Sequence, residues 1–316
     1  FDNNGDDAAN GRQTILLDYT VRLDPDTITR FAQAQDPFVV LIQDTDFISN
    51  TNDVIDITQT DPVAFGAAIQ TDLYRNTFTV SDTSDPTTVD PLDARPTLDD
   101  AFVFDWNGPV RAHIDSNQFD MISAFQQQAI SYRTRSLTDQ VDLSIQNNII
   151  NVNNVTQNVG AVDVRIDGPG FMNTAEFRTA FNQLLIGDGG ALGVAAGGRP
   201  TGLRYTLASN TGLALFNNDI VSNADGATGI QIVRCAASSS FTIDGNRIGL
   251  ADFGVAPERG IIFSQVTGVV SLFGTINNQV IIQQNILPGN GVVETPFFMP
   301  LGSSNGQIIV NGNLVP

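Results

Sequence analysis

FTIDGNRIGL, residues 241–250, sets a polar amide, Asn246, between two apolar β-formers, Ile243 and Ile248. The same spacing, apolar-x-x-Asn-x-apolar, recurs in IDSNQF (114–119), IQNNII (145–150), LFNNDI (215–220), IDGNRI (243–248) and VNGNLV (310–315). Two looser copies, TAFNQL (179–184) and TINNQV (275–280), carry Thr in the first position. The asparagines are therefore Asn117, Asn148, Asn182, Asn218, Asn246, Asn278 and Asn313, at intervals of 31, 34, 36, 28, 32 and 35 residues. An earlier copy, LYRNTF (73–78), lies 41 residues before the first of them.

A second element keeps phase with the first. Strand-like runs begin at Gly160 (GAVDVRI), Gly202 (GLRYTL), Gly229 (GIQIV), Gly260 (GIIFS) and Gly291 (GVVE), each 16 to 22 residues before the next repeated asparagine. A period of 20–50 residues in a chain of short strands means a solenoid or a propeller. Propeller blades need four strands and commonly an aromatic signature. Here the unit holds two or three short strands, and Trp106 is the only tryptophan. Stacked coils fit better, with each strand pairing in parallel with its counterpart one turn away and like residues about 4.8 Å apart in columns.

On these residues the chain resembles the right-handed parallel β-helix family, which includes pectate lyases, polygalacturonases, phage tailspikes and bacterial autotransporter passenger domains. The expected fold class is all-β, a right-handed parallel β-helix with an irregular N-terminal region. Residues 100–316 would form coils of about 33 residues, and residues 1–99 an irregular β-rich region or cap. The resemblance implies an asparagine ladder. Its physical reason is that a tight bend wants a residue tolerant of the left-handed region, and stacked amides can bond along the axis. The seven asparagines are therefore expected to serve architecture, since a binding site does not need seven copies and a bend does.

Composition narrows the function. Of 34 acidic residues only Glu176, Glu258 and Glu294 are Glu, all 15 basic residues are Arg, and the net charge is −19. Such a surface repels phosphate backbones and anionic headgroups, so nucleic acid and membrane surfaces are poor partners. No run approaches the roughly 20 apolar residues of a membrane span, so membrane insertion is not expected. The Asp excess suits a turn-rich β protein. No cofactor is expected. Calcium stays open as an alternative, because its loops are built from Asp and Asn, though it needs clustered ligands. Cys235 is the sole cysteine, which leaves no intrachain disulfide. The chain starts at Phe1 without a basic or apolar leader, which suggests a processed product or a fragment.

Between the strands of the first 99 residues lie long Pro- and Asp-bearing segments, and 81–100 reads as an extended surface loop or linker. The stretch 173–202, with two GG pairs, reads as a bulging loop in which part of 174–186 could be a short helix. Without Lys or GK[ST] it is no phosphate loop.

Enzyme signatures are sparse. The single histidine, His113, approaches a repeated asparagine with no nucleophile motif beside it. G-x-S-x-G, H-E-x-x-H and C-x-x-C are missing. The polygalacturonase-like pattern would need Gly-His-Gly and a lysine, and neither exists here. The pectate-lyase-like pattern of calcium-binding aspartates with an arginine base has one local imitation, DVRID (163–167), where Asp163, Arg165 and Asp167 alternate on one strand face. Solvated cross-strand pairing explains such a row as well. The sequence thus favours a non-enzymatic extracellular or cell-surface β-helix, a self-associating fibre subunit or adhesive stalk. The alternative is a polysaccharide-cleaving or glycan-binding β-helix. Expected partners are a second copy, end to end, or a surface glycan. The end-to-end expectation rests on GQIIVNGNLVP (306–316), which would leave an uncovered coil.

Overall fold

A computed structural model of the chain describes residues 2–3, 15–19, 38–49, 54–59, 68–80, 98–122, 126–135, 141–153, 155, 160–167, 177–187, 200–207, 212–224, 226–233, 239–252, 258–264, 269–273, 278–284, 292–293, 298–301, 307–310 and 313–315. Three sheets hold the described strands. Sheet A joins β1 (Asp2–Asn3), β4 (Asp46–Ser49), β7 (Thr77–Val80), β10 (Gln118–Met121), β13 (Ile149–Val152), β16 (Gln183–Ile186), β19 (Asp219–Ser222), β22 (Arg247–Asp252), β25 (Gln279–Gln284) and β26 (Val292–Val293). Sheet B joins β2 (Ile15–Tyr19), β5 (Ile55–Gln59), β8 (Leu98–Trp106), β11 (Gln126–Thr134), β14 (Gly160–Ile166), β17 (Thr201–Leu207), β20 (Thr228–Val233), β23 (Arg259–Ser264) and β27 (Phe298–Leu301). Sheet C joins β3 (Phe38–Gln43), β6 (Ile69–Tyr74), β9 (Val110–Asp115), β12 (Val141–Gln146), β15 (Phe177–Ala180), β18 (Gly212–Phe216), β21 (Ser239–Asp244), β24 (Val269–Phe273), β28 (Gln307–Val310) and β29 (Asn313–Val315).

From β3 to β25 the chain visits C, A and B in turn, and strands of successive coils pair in parallel. This is a parallel β-helix. Inward residues stack on one another because the pairing is in register. In sheet A one inward column reads Phe47, Phe78, Phe119, Ile150, Leu184, Ile220, Ile248 and Val280, all buried. Its three phenylalanine rings stack with centroids 4.9 and 4.7 Å apart. In sheet B, Phe104 stacks on Tyr132 at 4.9 Å. Parallel pairing at the strand spacing puts like rings at contact distance, and each pair adds about 0.5–1.5 kcal/mol beyond its buried area.

Three of the phased glycines, Gly202, Gly229 and Gly260, have a packing cause in the core. At Gly229 a Cβ would come 2.6 Å from Cγ2 of Ile248, a residue of the sheet A column. Gly202 and Gly260 face Ile220 and Val280 in the same way. A side chain at the start of these sheet B strands would displace the core. Gly291 lies outside the described residues.

Two expectations need revision, a helix within 174–186 and the place of Asn313. Phe177–Ala180 and Gln183–Ile186 are strands β15 and β16, not a helix. Phe177, Ala180, Leu184 and Leu185 mimic helical spacing, but pairing with the coils on either side decides the conformation. Sheet pairing also crosses residue 100 without a break, since β6 pairs with β9 and β5 with β8. Finally, β29 turns back antiparallel on β28, with Asn313 opposite Val310, and β26 does the same on β25. Asn313 is a residue of an antiparallel strand, not a bend residue between parallel coils. Sheets A and C thus each end in a short antiparallel strand, a common way to blunt an edge.

Candidate functional site

The repeated asparagines sit at the bend from sheet C to sheet A. Asn117, Asn148, Asn182, Asn218 and Asn246 are buried. Nδ2 of each donates to Oδ1 of the next: Asn117 to Asn148 at 3.0 Å, then Asn148 to Asn182, Asn182 to Asn218, Asn218 to Asn246 and Asn246 to Asn278, each at 2.9 Å. Asn76 joins the column, donating to Asn117 at 2.9 Å. The second Nδ2 proton goes to a sheet C carbonyl of the previous coil, as from Asn148 to Ile114 at 2.9 Å. Each Oδ1 also accepts the backbone N–H of the preceding asparagine, as Asn148 does from Asn117 at 2.9 Å. Two donors and two acceptor sites are filled, so the amide is buried without an orphaned atom. Asn313 stands outside this column.

The left-handed residue of the bend is not the repeated asparagine. Positive φ belongs to the residue before it: Asp44 (52°), Arg75 (52°), Ser116 (58°), Asn147 (55°), Phe181 (58°), Asn217 (50°) and Gly245 (66°). These positions face outward. Asp44 and Arg75 pair at 2.7 Å, and Asn147 donates to Asp115 at 3.0 Å.

On the outer face of sheet B, Asp163, Arg165 and Asp167 share a strand face but not one site. Asp163 accepts from Arg204 of the next coil at 2.8 Å, while Arg165 bonds Asp167 at 2.7 Å. Asp167 also meets Arg133 at 2.7 Å, and Asp105 meets Arg135 at 2.6 Å. Burial pushes the Asp163 carboxyl up from its ordinary value, with the Arg204 guanidinium opposing. Desolvation acts likewise on Asp167, yet hydrogen bonds from Arg165 and Arg133 hold it below the usual range. Guanidinium groups occupy the carboxylates that a calcium ion would need, so the row does not fit that ion. Among the described residues no group of three or more His, Cys, Asp or Glu could hold a metal.

His113 lies on the outer face of sheet C between carboxylates of both flanking coils. Nδ1 is 3.0 Å from Asp72 and Nε2 is 3.8 Å from Asp142. Asp142, against partial burial and together with Asp72, raises the imidazole pKa above its ordinary 6.5. Ser144 is opposite His113 in register, but its Oγ accepts from Gln146 and from Arg178, the latter at 3.4 Å.

Sheet A presents a different outer face. Ile149, Leu185 and Val221 project outward from β13, β16 and β19 with 43–50% exposure, and Ile122 and Phe181 beside them are 54% exposed. A groove of about 380 Å³ runs past Asp120, Ile122, Asn151, Asn153, Leu185 and Asn223. It shares Asn151 and Leu185 with a second, of about 240 Å³, lined also by Ile149, Gln183, Asp219 and Val221. The sequence reading missed this face. Its signal was lost alternation: in IINV, QLLI and DIVS apolar residues fall on both faces of the strand.

Among the described residues no helix is long and apolar enough to cross a membrane. Compared with protein-family models, with curated proteins and with solved structures, the chain matches none of them.

Proposed function

We propose that the chain is a non-enzymatic structural β-helix, an extracellular stalk whose side faces make the contacts. One observation carries this reading: the acidic and basic side chains suited to polysaccharide cleavage are spent on each other, Asp163 on Arg204 and Arg165 on Asp167. Such pairing across coils reinforces a scaffold and engages these carboxylates with guanidinium groups rather than with a sugar bond. The closed hydrogen bonding of the asparagine column fits the same purpose, a rigid core that costs no orphaned polar group. The antiparallel strands β26 and β29 favour a stalk over an end-to-end filament, because they cover the parallel edges of two sheets.

The test is incubation with polygalacturonate and other acidic polysaccharides, following reducing ends and unsaturated products. No release above buffer is expected. Cleavage abolished by Asp163→Ala or Arg165→Ala would contradict the reading. Light scattering of the purified chain should give one monomer mass. Growth in mass along one axis, seen by electron microscopy, would restore the filament.

A further inference from the structure

One outward column of sheet A is aliphatic. In register across β16, β19, β22 and β25 it reads Leu185, Val221, Gly249 and Ile281, with Leu185 and Val221 exposed and Ile281 half-buried. Ile149 and Ile122 extend the exposed aliphatic surface onto the two coils before Leu185. An apolar cluster on the surface of a protein of charge −19 marks a contact.

Gly249 makes the column informative. Gly202, Gly229 and Gly260 are glycine because a Cβ would strike the core, and Gly226 and Gly245 hold positive φ. Neither cause applies to Gly249. Its φ lies outside the left-handed region, and among the described residues a Cβ there would meet only Cγ2 of Val221, at 4.0 Å. A glycine within a strand weakens it, and one with no internal cause marks a place that another molecule approaches closely. Gly249 leaves a notch between Val221 and Ile281.

We propose that the column Leu185, Val221, Gly249 and Ile281 is a docking face for an amphipathic helix of a partner protein, one whose apolar stripe is bordered by basic residues. Backbone requirements select a helix. An added strand needs a free sheet edge, and β16, β19 and β22 are hydrogen-bonded on both sides. A helix satisfies its own backbone and covers a sheet through side chains alone. Its pitch of about 5.4 Å nearly matches the coil rise of about 4.8 Å, so successive turns meet successive coils. Leu185 walls both grooves of this face and Val221 one of them, which gives the helix side chains a seat on either side of the column. Charge selects the border. Asp120 stands in the same register two coils before Leu185 and is held by neutral amides, those of Gln118 and Asn151. Asp219, two residues before Val221 on the same face, is 3.7 Å from Arg247, and both side chains are open to solvent. A net charge of −19 steers a cationic segment toward this face and repels an acidic one, a second copy included.

The inference goes beyond the stalk reading and stands or falls separately from it, since polysaccharide cleavage would end that reading and leave this one in place. The whole chain is titrated, by calorimetry and by NMR, with an amphipathic Leu/Lys helix of about 18 residues. The comparators are a scrambled peptide of the same composition and a Leu/Glu helix. The Leu/Lys helix should bind with a Kd of about 100 μM or tighter and shift amide signals of β16, β19 and β22, while the comparators bind at least tenfold more weakly. Leu185→Gln should weaken binding about tenfold. Leu41→Gln, at an exposed aliphatic of sheet C, should leave it unchanged. Gly249→Val fills the notch with a β-branched side chain, so the melting temperature should rise while affinity falls about fivefold, which separates lost docking from lost folding. Equal binding of the scrambled peptide would reduce the effect to charge attraction and overturn the proposal. So would silence from the Leu/Lys helix, affinity indifferent to both Leu185→Gln and Gly249→Val, or a dimer mass that Leu185→Gln abolishes, which would put a second copy on the face.

Discussion

Asn147 and Asn148 are adjacent and chemically identical, yet they live in different worlds. Asn148 is buried, with its amide bonded above, below and sideways, while Asn147 is exposed and left-handed, its side-chain amide donating outside the column to Asp115. Asn217 and Asn218 repeat the contrast. The inner position must supply two donors and accept two bonds in a space the coil spacing dictates, and only an asparagine side chain does so. The outer position must merely tolerate positive φ. It therefore varies among Asp, Arg, Ser, Asn, Phe and Gly along the stack. Architecture is written on the inside of the bend, and the outside is free to vary.

Substitution on the inside should break that contrast most severely. Asn148→Ala leaves the Ile114 carbonyl, the Asn117 backbone N–H and an Asn117 amide proton without partners. At about 1 kcal/mol or more for each orphaned group, a loss of roughly 3 kcal/mol is expected in urea unfolding. Asn147→Ala should cost far less.

Next comes Gly245, the one outer position that is not free. Its φ is +66°, and a Cβ there would come 2.1 Å from Oδ1 of Asn217. Gly245→Ala should cost about 2 kcal/mol by the same measurement, from the backbone and the overlap together. A change in the opposite direction is expected at Phe181, where Phe181→Asn should stabilise by about 0.5–1 kcal/mol.

His113 gives a smaller effect with a definite sign. Asp72 and Tyr74 of β6, Asp142 and Ser144 of β12, and Arg111 and Asp115 of its own strand surround it. Its folded pKa lies above the ordinary 6.5, so the protonated ring stabilises the folded chain. That contribution is fully present below the ordinary value and is lost as pH rises through the raised one. Melting temperature should fall over that window relative to His113→Gln, and parallel profiles would remove His113 from the account. The smallest effect is expected from EDTA, which should leave the melting temperature unmoved because the sheet B carboxylates are held by arginines.

Much of this architecture was legible in the spacing. The apolar-x-x-Asn-x-apolar pattern picked the second asparagine of QNNI and FNND correctly as the inward one, because it counts from the core residues Ile145 and Ile150, and Leu215 and Ile220. The source of the bend was misread: backbone tolerance was credited to the inner asparagine, whereas the outer neighbour carries it. In the copy at 310–315 the same letters place Asn313 in a strand antiparallel to β28, since a six-residue pattern does not encode whether a parallel partner follows. The Asp163–Arg204 pair spans 41 residues, and loop lengths that vary from coil to coil hide such partners from any local pattern. The sheet A face was hidden for a related reason, because each exposed aliphatic looks ordinary until neighbouring coils bring it beside the next.

The central claim, that adjacent asparagines divide into an interior hydrogen-bonded column and an exterior hinge, is tested most directly by side-chain amide exchange measured by NMR. The Nδ2 protons of Asn148 and Asn218 should exchange far more slowly than those of Asn147 and Asn217. Equal, rapid exchange at all four would mean that no interior column exists.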